Sequence, residues 1–295
     1  MRVLVTGSSG QLGSYVCEHM YDGHDVLGFD LLLGRVEGLE SIIGDVRRRA
    51  DVREAVAGVE VVVHCAAQVS VERSMVDPVT DAETNVIGTI NMLHEAAEAG
   101  VRRFVYLSSA AVLGDPRRVP IDEEHPTEPT SNYGASKLAG ERFAVAYASS
   151  HEMEVVAIRP FNFYSERADP DSPYSGVITK FTRRVAEGKP PLIEGDGLQT
   201  RDFIHAKDVA AFVGTVAEAE GHSGQVFNCG TGDRTSVLDL ARLVISIRGL
   251  DLEPEHVAPR TGDIRHSVAD MKKTYDTFGF VPRISLREGL EELLS

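Results

Sequence analysis

The sequence predicts an α/β fold, a doubly wound parallel sheet with a smaller C-terminal lobe. Three features carry this. Short continuous apolar runs alternate with segments of helical apolar spacing, the pattern of βαβ units joined by right-handed crossovers. A glycine-rich turn joins the first strand directly to the first helix. Beyond Pro160 the alternation gives way to a stretch rich in Pro, Ser and Asp, followed by shorter elements.

RVLVTG is a buried strand ending in glycine, and Gln11 to Tyr21 has helical spacing through Leu12, Tyr15, Val16 and Met20. HDVLGFD and SIIGD read as the second and third strands, with an acidic helix near 51–57 after them. VEVVVHCAA is the clearest buried strand, 77–99 a long helix, and VRRFVYLSS the fifth strand. A helix carrying Tyr133 runs to about Ser149, and EVVAIRP is the sixth strand. Then come a helix near 176–187, PPLIEG, RDFIHAKD, a helix to about 219, QVFNCG, and helices near 236–248 and 285–294. This divides the chain into a dinucleotide-binding domain, 1–164, and a mainly substrate-binding lobe, 165–295. Segments at about 200–230 are expected to return to the first domain.

With 295 residues the chain can bury a large core. A formal net charge of -15 argues against nucleic acid as a partner, whose phosphates would be repelled. No apolar run reaches membrane-spanning length, so no membrane association is expected. Cys17, Cys65 and Cys229 are widely spaced, odd in number and without metal-type spacing. They read as small buried hydrophobes in a reducing compartment, which makes the cytoplasm the expected location and leaves no metal site.

TGSSGQLG lies where a phosphate-binding turn belongs, after strand one and before a helix. Gly7, Gly10 and Gly13, with Gln11 and Leu12 between them, let backbone approach a pyrophosphate that the helix N-terminus stabilises. Asp30 ends strand two, where a carboxylate accepts from both adenosine ribose hydroxyls and repels a 2′-phosphate, so NAD is expected over NADP. Asp45 and Val46 follow strand three, with Asp45 placed to meet the adenine amine. Cys65, Ala66 and Ala67 are small residues where the chain must pass close to the cofactor.

Strand five ends in Ser108 and Ser109, and SNYGASKLAG places Tyr133 four residues before Lys137 on the next helix. Ligands of such sheets sit at the carboxyl ends of the strands, so Ser109, Tyr133 and Lys137 should converge there. A free phenol, with a pKa near 10, is a poor base at neutral pH. A neighbouring ammonium and the positive nicotinamide of oxidised NAD would both favour phenolate. Lys137 would also hold the nicotinamide ribose, and Ser109 the substrate hydroxyl.

TGSSGQLG, Asp30, Ser109 and the YGASK pair resemble the extended short-chain dehydrogenases/reductases, nearly end to end. RPFNFYSERADPDSPYSGVI, GDGLQTRDFIHAKDVA, FNCGTG and RTGDIRHSVAD resemble the NAD-dependent epimerase/dehydratase branch, in particular UDP-glucose 4-epimerases. The resemblance implies a Rossmann domain, a tightly held NAD, and a UDP-sugar substrate that passes through a transient 4-keto form. It places Asn85 and Ser108 at the cofactor, Pro160 and Phe161 along the nicotinamide, and Asn162 at the substrate diphosphate. Val177 would lie near the nucleotide base, Arg201 and Arg260 would clamp the diphosphate, and Asp263 would meet a ribose hydroxyl. Two guanidiniums offer the forked donors that two phosphates need; the plainer reading of Arg201, beside Asp202, is a surface ion pair.

Departures narrow the reaction. Ala110 and Ala111 follow Ser109, where sugar 4,6-dehydratases carry an Asp–Glu pair and UDP-glucuronate decarboxylases a glutamate. Leu113 stands for the usual tyrosine, Asn132 for a proline, and Ser165 with Glu166 for glycine and proline. Ser267 aligns with a position where a tyrosine restricts some epimerases to unacetylated sugars, so N-acetylhexosamine nucleotides are expected to fit too. The leading expectation is a UDP-hexose 4-epimerase; the alternatives are a nucleotide-sugar or 6-deoxysugar oxidoreductase and a non-catalytic NAD-binding protein. Relatives pair helices 77–99 and 129–149 across a four-helix seam. Surplus apolar residues there (Ile87, Ile90, Leu93, Phe143, Tyr147) predict an isologous homodimer.

Overall fold

The computed structural model describes residues 1–168, 176–259 and 262–295. Its centre is a seven-stranded, all-parallel sheet. In chain order the first six strands are β1 (Arg2–Thr6), β2 (Asp25–Asp30), β3 (Glu40–Ile43), β4 (Val61–His64), β5 (Arg103–Leu107) and β6 (Glu154–Pro160). They lie in the spatial order β3-β2-β1-β4-β5-β6, so the winding reverses between β1 and β4, where the strand ends open a crevice. The runs are continuously apolar because both faces of the sheet are covered.

Alternation along each strand sends its side chains to two separate cores. Val3, Val5, Val63, Val105 and Ile158 face a layer made by α1 (Gln11–Tyr21) and a later helix of residues 206–218. Leu4, Val62, Phe104 and Tyr106 face the opposite layer. That layer contains α2 (Arg49–Ala55), then α3 (Val71–Val76) and α4 (Pro78–Ala82), a π-helical turn (Glu83–Gly88), α5 (Thr89–Glu98) and α6 (Asn132–Ser150).

The single helix expected over 77–99 is thus broken. Asp77 caps α4 by accepting from the Thr80 amide, Pro78 occupies its first turn, and the π turn separates α4 from α5. Of the apolar residues expected at a helix seam, Leu93 is instead fully buried against the sheet. Ile87 and Phe143 are 48% and 41% exposed.

After β6, the short β7 (Asn162–Tyr164) pairs with β10, described below, and α7 (Val177–Ala186) follows. β8 (Leu192–Glu194), β9 (Thr200–Arg201) and β10 (Phe203–His205) lead into α8 (Ala206–Glu218), which packs with α1, and β11 (Val226–Cys229), which adds to the sheet edge beside β6. β12 (Thr235–Ser236), α9 (Val237–Ile247), β13 (Glu255–Val257), β14 (His266–Ser267), α10 (Lys272–Phe278) and α11 (Leu286–Leu294) complete the chain. A third core of Phe181, Ile193, Leu240, Val244 and Leu290 holds α7, α9 and α11 together beside the crevice. No helix among the described residues is long and apolar enough to cross a membrane.

Candidate active site

The glycine turn forms a cradle. Gly7 has φ +68°, and a Cβ there would stand 2.8 Å from the Ala66 amide nitrogen; at Gly13 it would collide with the Gly7 carbonyl. Side chains at either position would push the first turn of α1 away from β1 and β4. Gly10 is the N-cap of α1, which has no side-chain cap, so its opening amides face the crevice as an anion site. The Asp30 carboxylate at the end of β2 accepts from the Ser9 amide at 2.9 Å and the Leu32 amide at 3.3 Å. The turn and the acidic strand end are thereby locked together. A cradle that excludes Cβ atoms, an uncapped helix start and a fixed carboxylate fit the diphosphate and ribose of a dinucleotide. Asp45 is engaged differently from the expectation: Arg47 grips it, with Nε at 3.0 Å from both oxygens, and holds its pKa below the usual carboxylate value. The side chain expected to meet an adenine amine thus already has a partner.

Below Cys65, Ala66 and Ala67 runs a hydrogen-bond chain whose direction is fixed. The Thr89 hydroxyl donates to the Asn85 carbonyl at 2.7 Å, so it accepts from His64 Nε2 at 3.2 Å. His64 Nδ1 is therefore the acceptor for the Thr6 hydroxyl at 2.7 Å, and Thr6 Oγ1 accepts from the Ala66 amide at 3.1 Å. Burial, with the Lys137 charge nearby, draws the His64 pKa down to about 3, so the ring is neutral. Asn85, expected at the cofactor, spends its side chain within the protein. It accepts from the Gln68 amide (2.8 Å) and donates to the Gln68 carbonyl (2.9 Å) and to Ser136 Oγ (3.0 Å). Projecting from the π turn, it ties the Ala66–Gln68 segment to α6 rather than contacting the cleft.

Ser109 and Tyr133 come together at the end of β5 and the first turn of α6, and Lys137 lies one turn further. Ser109 caps a 3₁₀ turn (Ala110–Leu113), accepting from the Ala111 amide at 3.1 Å, and its hydroxyl lies near enough to the Tyr133 phenol to draw the phenol's pKa down. Tyr133 is half-buried; Lys137 is only 3% exposed, with Nζ 4.6 Å from the Tyr106 ring centroid. Burial lowers the Lys137 pKa to about 8, partly opposed by Cys65, Glu141 and Asp81. The Tyr133 phenol lies above its ordinary value, raised by burial and Asp81 and pulled back by Ser109. This is opposite to the direction that the Tyr–Lys spacing suggests. The reason is that the ammonium meant to favour phenolate is itself desolvated and turned to the Tyr106 ring.

Ser108, expected at the cofactor, likewise spends its hydroxyl within the protein. Its hydroxyl donates to Glu141 at 2.7 Å, inside a buried pair in which Arg159 donates to both Glu141 oxygens at 2.9 and 2.7 Å. Sequence reasoning misses that pair, because its members sit on different elements and look like ordinary surface charges. It braces α6 against the ends of β5 and β6, behind Lys137.

On the substrate side, Pro160 ends β6, and the Phe161 side chain is buried with Val112, Leu113 and Ile121 in a small core. Asn162 is exposed, its side chain without a hydrogen-bond partner among the described residues. Val177, half-buried, opens α7. Arg201 lies in β9 between Thr235 of β12 and Ser267 of β14, and donates to Asp263 at 2.6 Å. Its partner is therefore not the adjacent Asp202, which is buried and accepts from the Thr231, Gly232 and Ala269 amides. Ser267 is buried beside Arg201. Arg260 lies outside the described residues. Among these, no cluster of His, Cys, Asp and Glu could hold a metal ion.

Residues 3–230 match the model of the NAD dependent epimerase/dehydratase family. The chain is 38% identical to a UDP-glucose 4-epimerase of Mycolicibacterium smegmatis, over 98% of this chain and 96% of that one. The structure of UDP-glucose 4-epimerase from Thermotoga maritima with UDP-glucose superposes with a TM-score of 0.94 at 32% identity, covering 100% and 97% of the two chains. That of the Thermus thermophilus UDP-glucose 4-epimerase complexed with NAD gives 0.89 at 31%, covering 100% and 98%. With a dinucleotide cradle, a Ser–Tyr–Lys set at the strand ends and this likeness along the whole chain, the protein belongs to the NAD-dependent epimerase/dehydratase family.

Proposed function

We propose that this chain is an NAD-dependent 4-epimerase of UDP-hexoses, interconverting UDP-galactose and UDP-glucose and accepting the N-acetylated pair. The observation that carries this reading is Ser109 at the start of a 3₁₀ turn that opens with two alanines, beside the Tyr133 and Lys137 pair of α6. Elimination or decarboxylation needs a carboxyl group where Ala110 and Ala111 stand; removal and return of one proton does not. NAD, bound in the glycine cradle and on Asp30, supplies reversible two-electron oxidation at carbon four of the sugar. Tyr133 accepts the 4-hydroxyl proton, directly or through Ser109, and returns it to the same oxygen; the inversion at carbon four comes from reduction of the 4-keto sugar on its other face. Lys137 would hold the nicotinamide ribose, and the positive nicotinamide of bound NAD would supply the charge that favours phenolate. Asn162 is free to receive the substrate diphosphate, and Arg201 would exchange Asp263 for it, leaving Asp263 for the ribose. Ser267, standing where a bulkier ring would, is the residue that would leave room for an N-acetyl group.

We further propose a homodimer with α4, α5 and α6 at its seam, supported by exposed Val79, Ile87 and Phe143 on those helices and the connecting turn. A cytoplasmic location is supported by three unpaired cysteines. Proton NMR of the purified protein with UDP-galactose and no added NAD tests the central claim. Appearance of UDP-glucose to a fixed ratio is expected. An unchanged spectrum from NAD-loaded protein would overturn it in favour of a net sugar oxidoreductase, which consumes or produces NADH stoichiometrically.

A further inference from the structure

The segment leaving β7 is fastened to α1 at three points along one face of that helix. Gln11 Nε2 donates to Ser165 Oγ at 3.1 Å, on the first turn. One turn on, the Tyr15 phenol donates to the Glu166 carboxylate, and the Arg167 guanidinium lies 3.9 Å from the Tyr15 ring centroid. One turn further, Arg167 pairs with Glu18. Positions 11, 15 and 18 form a single stripe. From the other side Arg35, in the loop that follows Asp30, donates to the Arg167 carbonyl at 3.3 Å.

Residues 165–168 therefore bridge the two elements that receive the adenosine half of the cofactor, the start of α1 and the loop after β2. Ser165 and Glu166 replace the glycine and proline of the family pattern, neither of which has a side chain that could make these contacts. The Glu166 carboxyl is kept ionised: burial opposes its charge, but the Tyr15 hydrogen bond, its own backbone and Lys207 outweigh burial and lower its pKa.

We propose that residues 165–168 are a cofactor-retaining strap, anchored on Gln11, Tyr15 and Glu18 and clasped by Arg35, that closes the pyrophosphate site and slows departure of NAD. This rests on the reading of the chain as an NAD-dependent epimerase, a reaction without net redox change that gains nothing from releasing its cofactor between turnovers. Glu166, Arg167 and their partners are positioning residues; none touches the reacting atoms.

The test is the dissociation rate of radiolabelled NAD from the full-length protein, chased with excess unlabelled NAD. Glu166→Gln and Arg167→Gln should each accelerate release roughly tenfold, the equivalent of about 1.4 kcal/mol. The paired exchange Glu18→Arg with Arg167→Glu should bring the rate back toward that of the unaltered protein. A merely structural role would instead lower the melting temperature of the cofactor-free protein in the same variants, which the strap leaves in place. Release rates equal to the unaltered protein, or acceleration that the paired exchange fails to reverse, would overturn the strap. If the unaltered protein binds no NAD, the cofactor reading fails with it. If NAD release responds as expected while UDP-galactose is untouched, the strap stands and only the choice of substrate falls.

Discussion

Substituting methionine for Lys137 separates what the active site needs from what the fold prefers. Burial draws this ammonium from 10.5 down to about 8. Keeping it charged at neutral pH then costs the native state about 3 kcal/mol, at about 1.4 kcal/mol per pH unit. The contact with the Tyr106 ring offsets about 0.5–1 kcal/mol of this. Lys137→Met fills similar volume without the charge and should stabilise the cofactor-free protein by about 2 kcal/mol, roughly 5 °C in melting temperature. The pH dependence follows from the sign. Because the folded pKa lies below the unfolded one, the unfolded chain alone binds this proton between about 8 and 10.5. Stability of the unaltered protein therefore rises with pH across that window by about 1.4 kcal/mol per unit, and the advantage of the methionine variant should largely disappear by about pH 9.5. Urea melts of the cofactor-free forms at neutral and alkaline pH measure both quantities, and turnover of UDP-galactose should be lost. A variant less stable at neutral pH, or an advantage equal at both, would refute the reasoning.

Tyr133→Phe should lower the epimerisation rate by about 10²-fold or more while NAD binding, read by fluorescence, persists. Ser267→Tyr should abolish turnover of UDP-N-acetylgalactosamine and spare UDP-galactose; loss of both together would count against a steric gate. Arg159→Met strands the Glu141 carboxylate in the core and should cost about 3–5 kcal/mol in urea unfolding. His64 has its pKa drawn from 6.5 down to about 3, so the stability it contributes is present above 6.5 and is lost as pH falls toward 3. His64→Asn should flatten the acid limb of the stability profile by about one proton, or about 1.4 kcal/mol per pH unit.

The sheet was legible because each strand buried on both faces must be an unbroken apolar run: VVVH and RFVYL could be little else. The glycine turn and Asp30 were legible for a similar reason, since their chemistry is local to one strand–helix junction. Polar groups whose partners are distant in the chain were not. Glu141 and Arg159 look like solvated charges, and Ser108 like a cofactor contact, until the fold makes them one buried cluster. The break in the 77–99 helix is hidden because a π turn carries no composition signal, although it aims Asn85 at Gln68. Phe161 sits beside Asn162 in sequence, but strand alternation sends it down into a core and leaves its neighbour facing outward. The direction of the Tyr133 shift depends on the burial of Lys137, which spacing alone does not report.

The sheet that splits the interior into two cores has an evolutionary consequence. Val3 and Leu4 are consecutive in the gene, yet they belong to different mutational neighbourhoods, one shared with α1 and the other with the layer that contains α6. Substitutions on opposite faces share few partners and should combine with little epistasis, whereas those on one face should constrain each other across a hundred residues of chain. A lineage with such a partition can retune how firmly it grips its dinucleotide without disturbing the packing around Tyr133 and Lys137. New substrates can likewise be explored from the catalytic side while the cofactor module drifts on its own course.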